Sequence, residues 1–464
     1  MFIGGVNIWK STDGGSTWAI SAHWYGGDGN PYVHADVHSL KFMPGSNNTV
    51  YAACDGGLFT TSNSGAAWND LSNGLSIGQI YRLGCSSVNS NLVMTGWQDN
   101  GSNLLNSSFW SNVIGGDGME CLIDRSDPDI MYGSYYYGAF QRSDDGGNSW
   151  NSVTNNITET GAWITPLVED PVDAATIYAG YDNLWKSTNH GDFWTKISNF
   201  ADSSLIYCLT IASSNVDYMY IYRNNSVYRS TNGGATWADI GAGLPALYVT
   251  SIAVSPDDPD VLWVSLSGYS NNEKVYTSRN GGTSWTNYSG TLPNIPANTI
   301  IMESGTDEGL YVGTDLGVFY RDSTMSDWTA FNTNLPNVIV DELEIQYSTG
   351  KLRAATYGRG LWQSDLHHLV NINDNDQPTQ NTIKIYPNPG DGIINIDLKD
   401  ESNKNEPAYI RIFNSAGRLV YNMKTSLKSD CCIKADLSHE ANGFFFVKVK
   451  IGKENYSGTF VKNK

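Results

Sequence analysis

The chain has 464 residues and a mass of 50.8 kDa, enough for a large core and a second module. Its 28 basic residues stand against 47 acidic ones, a net charge of −19, which argues against nucleic acid as a partner because phosphate binding needs clustered Lys and Arg. Aromatic residues make up 12% of the chain, which excludes disorder; the abundance of Gly, Ser, Asn and Thr disfavours helices, and no run of about 18 apolar residues offers a membrane-spanning segment.

Tryptophans recur every 40 to 50 residues, at Trp18, Trp68, Trp110, Trp150, Trp194, Trp237, Trp285 and Trp328. A fixed phrase precedes most of them. It first reads Ser11-Thr12-Asp13-Gly14-Gly15-Ser16-Thr17-Trp18 and recurs as Ser143 to Trp150. The phrases Ser187 to Trp194, Ser230 to Trp237 and Ser278 to Trp285 carry Asn where the first carries Asp; Thr61 to Trp68 is a weaker copy. Gly supplies the positive φ of a hairpin turn, Asp or Asn bonds the turn backbone, and Trp packs as an apolar plug. Asp13, Asn63, Asp145, Asn189, Asn232 and Asn280, each with its Trp, are therefore structural.

Each period reads as four short strands. The first is apolar (His38–Phe42, Ile80–Leu83, Thr250–Val254), and a second follows (Val50–Ala53, Thr176–Ala179, Leu310–Gly313). A turn leads to a third (Gly57–Thr61, Leu184–Ser187, Val227–Ser230), and the Trp phrase to a fourth. Repeated four-stranded units predict an all-β chain, a β-propeller of about seven to eight blades. Seven full periods lie between about 32 and 332, and 337–365 supplies three strands of an eighth. The chain opens at a second-type strand, Phe2–Gly4, and residues 1–30 contain no signal peptide, so Met1 is expected to be an internal or truncated start.

The polar segment 371–382 is expected to be a linker between the propeller (1–370) and a small strand-rich unit, a β-sandwich, over 383–464. That unit contains Tyr386-Pro387-Asn388-Pro389, the strand Ile394–Leu398, Gly417-Arg418-Leu419-Val420 and the terminal Gly443-Phe444-Phe445-Phe446. Of the six cysteines, Cys54, Cys85, Cys121 and Cys208 read as small buried side chains; nothing in the sequence accounts for the pair Cys431-Cys432.

In a four-stranded meander, the loops entering the first strand share a face with the second-to-third turns, and the Trp phrases lie on the opposite face. The first face receives His34, Asp36 and His38, then Asp55, then Trp97-Gln98-Asp99-Asn100, then Asp117 and Glu120. Asp36, Asp55, Asp99 and Asp117, with Glu120, are the candidates for acid and base in glycoside hydrolysis, where two carboxyls stand roughly 5 to 9.5 Å apart. The same four aspartates are the candidates for a Ca²⁺ site, though no cofactor is required. Trp24, Tyr25, Trp97, Tyr136, Tyr137, Tyr181, Tyr269 and Tyr357 are expected on this face, where exposed rings stack on sugars or meet a protein.

The Trp phrase resembles the Asp-box, or BNR, repeat, over roughly residues 1–365. The tail is similar to the type A C-terminal sorting domain of the type IX secretion system, which implies recognition by that machinery and an extracellular or outer-membrane-surface location. The face motifs resemble those of secreted, sortilin-like BNR proteins with this tail, whose activity is undefined; xyloglucanases are related tandem propellers. Arg142, Arg229 and Arg321 precede Asp-boxes and no Arg-Ile-Pro phrase occurs, which argues against a sialidase. Three readings follow: a propeller binding a glycan or protein ligand, a glycoside hydrolase, and a non-catalytic adhesive surface protein.

Overall fold

A computed structural model describes residues 1–367, 381–397, 407–414, 418–426, 432–451 and 454–463. Residues 371–380 of the expected linker 371–382 and Cys431 lie outside these residues, as does the side chain of Cys432, and the linker's last two residues form the strand Asn381–Thr382.

The period read from the sequence is the period of the sheets. Residues 2–365 form three-strand and four-strand antiparallel meanders in chain order. Phe2–Gly4, Ile8–Lys10 and Ala19–Ala22 make a first sheet, and Val37–Phe42 opens a four-stranded second one that runs to Asn69–Asp70. Seven more sheets follow. Their first strands are Ile80–Cys85, Cys121–Ile123, Leu167–Glu169, Ile206–Ile211, Val249–Val254, Ala297–Glu303 and Ile339–Gln346. The last of these sheets has three strands, ending in Gly360–Asp365.

These seven sheets close on themselves, so the propeller ring begins at Ile80. Its last sheet meets its first directly. Glu342 Oε2 accepts from the Leu83 amide at 2.6 Å and Glu344 Oε2 from the Cys85 amide at 2.7 Å. Tyr357 bridges to Gln79, and Ala355 packs on Ile80 and Leu83. A central cavity of about 140 Å³ takes side chains from all seven sheets, among them Arg82, Glu120, Val168, Thr210, Thr250, Thr299 and Asp341. The ring thus has seven sheets, within the seven to eight blades expected from the repeat period. The sheets within 2–70 pack on each other, through Ile8, Ala22, Val50, Ala52 and Phe59, and sit outside the ring. A repeat period counts sheets; it does not say which two sheets shut the circle.

Apolar side chains of neighbouring sheets interlock face to face. Trp263 and Val275 of one sheet pack with Ile300, Leu310 and Val312 of the next. The Asp-box turns follow their sequence logic. Asp145 Oδ1 accepts from the Ser149 amide at 2.8 Å, Ser143 Oγ from the Gly147 amide at 2.8 Å, and Asn280 Oδ1 from the Ser284 amide at 2.9 Å. Hydrogen bonds from Thr17 and Ser11 hold the Asp13 carboxyl at about 2. Trp194 is fully buried, its indole N–H donating to Val153 O.

The C-terminal unit is a sandwich. One sheet orders Asn381–Thr382, Glu454–Lys462, Gly443–Ile451, Pro407–Asn414 and Leu419–Ser426; the other holds Lys384–Tyr386, Ile393–Asp397 and Cys432–Asp436. Alternating residues from both, including Ile385, Ile394, Ile396, Ile410, Val447 and Phe460, fill the space between.

Candidate functional site

The candidate site forms where the sheets before the ring meet the first ring sheet. His34 arrives on the loop entering Val37–Phe42. Its side chain packs against Gly56, where a Cβ would fall 2.3 Å from the imidazole, so the Asp55-Gly56 turn needs glycine there. From this position His34 Nε2 reaches Asp99 O at 2.9 Å. Asn100 Nδ2 donates back to Asp55 O at 2.9 Å. Two reciprocal contacts therefore join the turns carrying Asp55 and Asp99.

The carboxylates are placed by their own loops. Asp117 Oδ1 accepts from the Asp99 amide at 2.7 Å. His38 Nε2 lies 2.6 Å from Asp55 Oδ1. Asp36 and Asp99 both sit at φ 57, a left-handed conformation that Asp tolerates. Burial raises the Asp99 carboxyl above its ordinary range, and the neighbouring charges of Asp117 and Asp55 add to this. Asp36 makes no hydrogen bond or ion pair among the described residues. Among those residues no three His, Cys, Asp or Glu side chains are grouped as metal ligands.

Glu120 stands apart from this group. It lines the central cavity, 3.7 Å from the Arg82 guanidinium, and its carboxyl is raised by burial and then by Glu342.

Rings extend the site across the ring sheets. Gln98 Oε1 accepts from Tyr81 OH at 2.8 Å and also from Tyr357 OH. The two tyrosine rings are 5.8 Å apart. Burial pushes the Tyr81 hydroxyl to about 12, with Trp163 beside it lowering it somewhat. Trp163 is 42% exposed and stacks on Tyr136 at 5.3 Å and 5°, with Tyr137 edge-on at 5.5 Å. Trp97 packs against Trp110 and donates to Thr95. Tyr81, Tyr357, Trp163, Tyr136 and Tyr137 thus form an aromatic row leading away from Asp99.

Tyr181 is corrected. It is fully buried, donates to Gly138 O, and packs so closely that a Cβ on Gly138 would lie 2.7 Å from its ring. It belongs to the core between two sheets, with Phe140 and Trp185. Tyr81 and Trp163 escaped sequence reading. Trp163 lies in a loop entering a first strand, the same loop class that supplied His34, and that position was its available signal. Arg142 pairs with Asp144 and Asp192, Arg229 with Asp260, and Arg321 covers Tyr288, so the three arginines serve separate sheets.

Comparison with known proteins agrees with this architecture. Residues 384–463 match the model of a secretion system C-terminal sorting domain, and residues 182–295 that of sortilin, neurotensin receptor 3. A xyloglucanase of Paenibacillus sp is 24% identical over 256 residues, 46% of this chain and 22% of that protein. The chain thus spans about a fifth of the curated relative it matches. Among solved structures, the GH74 enzyme of Niastella koreensis aligns over 91% of this chain and 72% of its own, at 16% identity and a TM-score of 0.46. YCF48 from Cyanidioschyzon merolae aligns over 63% and 96%, at 9% and 0.46. No helix among the described residues is long and apolar enough to cross a membrane. The chain is a BNR-type β-propeller protein carrying a type IX secretion C-terminal sorting domain, which implies a secreted or cell-surface destination.

Proposed function

We propose that this exported propeller binds a polysaccharide along the row Tyr357, Tyr81, Trp163, Tyr136 and Tyr137, with the chain of sugars ending against Asp99, Asp117 and Asp55. The observation that carries this reading is the exposed, stacked Tyr136–Trp163 pair on the same face as the His34–Asp99 junction. Flat apolar rings bordered by carboxylates and amides suit pyranose faces and hydroxyls. Trp163 stays 42% exposed although both Tyr136 and Tyr137 pack against it.

Hydrolysis is a second reading, favoured by one feature: Asp99 carries a raised carboxyl between Asp55 and Asp117. In that reading Asp99 protonates the leaving glycosidic oxygen, and Asp55, oriented by His38, takes a proton from the attacking water. The name of the Paenibacillus relative makes xyloglucan the first polymer to try.

Affinity electrophoresis in gels containing xyloglucan, mixed-linkage glucan or xylan tests binding. The wild type is retarded by one of them and Trp163→Ala is not; unretarded migration in all three refutes the binding reading. Reducing-sugar release abolished by Asp99→Asn and by Asp55→Asn supports hydrolysis, and equal release by both variants removes these aspartates from it.

A further inference from the structure

The C-terminal sandwich carries a charge opposite to the rest of the chain. Residues 383–464 hold 13 Lys and Arg against 9 Asp and Glu, whereas residues 1–382 hold 15 against 38. Much of the basic character gathers on one surface. The adjacent strands Leu419–Ser426, Pro407–Asn414 and Gly443–Ile451 contain no Asp or Glu.

Register places their outward residues in rows. Tyr409 stands between Lys424 and Lys450, and Arg411 between Asn422 and Lys448; Phe413 adjoins Phe446. Partner strands lie about 4.8 Å apart, so four cations occupy a patch roughly 10 Å across. Their inward neighbours, Ile410, Ile412, Val447 and Val449, are all core, which fixes the cations on the outside. Lys424 lies over the Tyr409 ring at 5.0 Å and Lys448 over the Phe413 ring at 5.9 Å. Beside the cations, Phe444 is 60% exposed and Phe446 48%.

We propose that this outer sheet face is the docking surface through which the sorting domain is recognised, and that its partner is an acidic protein surface with an apolar notch for Phe444 and Phe446. A cationic patch with rings beside it is complementary in charge to an anionic protein surface. Exposed phenylalanines flanking cations form the apolar centre and charged rim of a protein interface. An anionic polysaccharide would use the cations and leave Phe444 and Phe446 in water.

The proposal rests on the tail being a sorting domain, and its test separates the two. The full chain is expressed in a bacterium with a working type IX system, and its distribution between periplasm and medium or cell surface is read by immunoblot. The Lys448→Glu/Lys450→Glu variant and, separately, Phe446→Ser are expected to lower the exported fraction at least fivefold, while Lys448→Arg/Lys450→Arg exports normally. Lys424→Glu alone gives the same direction and guards against a folding defect, which thermal melting of each purified chain monitors. Wild-type export of the charge-reversed and Phe446→Ser chains overturns the proposed face. If a chain lacking 383–464 is also exported, the sorting reading itself fails. Vesicles containing 30% phosphatidylglycerol serve as a probe of the lipid alternative: binding lost in the Lys448→Glu/Lys450→Glu variant but retained in Phe446→Ser, with export unchanged in both, makes the occupant a lipid headgroup and overturns the protein partner.

Discussion

Raising the pH from about 5 to about 8.5 should loosen the propeller at one seam, where the last ring sheet grips the first. The perturbation to use is Glu344→Gln. Glu344 accepts from the Cys85 amide, and burial, followed by the charge of Glu342, pushes its carboxyl to about 8 from an ordinary 4.5. Arg353 and the Cys85 thiol also face it; the first counteracts the shift and the second is itself raised by burial. A carboxyl that holds its proton more tightly in the fold than in the unfolded chain contributes fully below pH 4.5. It loses that contribution as pH climbs through 8. At about 1.4 kcal/mol per pH unit the full effect is near 5 kcal/mol, and because the side chain is only half-buried, solvent screening reduces it to about 2 kcal/mol. Glutamine has nearly the same shape and can still accept from Cys85, without a charge to bury. Differential scanning calorimetry of the ring transition should find the two chains equal near pH 5 and Glu344→Gln more stable near pH 8.5, by ~4 °C. Glu342, Glu120 and Asp341 are shifted upward too, chiefly by burial, so the wild type itself should melt lower as pH rises. Curves for the two chains that stay parallel from pH 5 to 8.5 would refute the buried-carboxyl account of the seam.

Gly56→Ala should drive a methyl into the His34 ring and cost about 2 kcal/mol, read as faster amide exchange in the loops around His34 and Asp99 with the ring sheets unchanged. Tyr181→Phe should cost about 1 kcal/mol of stability by stranding Gly138 O, and leave polysaccharide retardation as in the wild type. Trp194→Ala, at a fully buried Asp-box plug, should cost about 3 to 5 kcal/mol in chemical denaturation.

The contrast between Trp194 and Tyr181 shows what sequence could and could not tell. The Asp-box fixes its own turn through bonds within a few residues, so Asp145, Ser143 and Trp150 were legible from spacing alone. Hydrogen bonds do join the loops of His34, Asp55, Asp99 and Asp117, although His34 and Asp55 belong to a sheet before the ring, which strand order within a period does not place. Tyr181 follows a second strand as Tyr136 does, yet a left-handed turn at Gly138 of the preceding sheet folds over it. That contact is 43 residues away in sequence and leaves no local pattern. The seam was hidden for a related reason. Asp341-Glu342-Leu343-Glu344 falls in the first strand of the last period, and only ring closure sets the carboxyls of Glu342 and Glu344 onto residues some 259 positions earlier.

The most direct test of the account is hydrogen–deuterium exchange with and without a saturating xyloglucan or mixed-linkage glucan oligosaccharide. The account predicts slowed exchange in the loops carrying His34, Gln98–Asn100, Asp117 and Trp163, and no change in the Asp-box turns at Asp145, Asn189 and Asn280. Protection confined to the Asp-box turns, or absent from the Asp99 and Trp163 loops under an oligosaccharide that does bind, would contradict it.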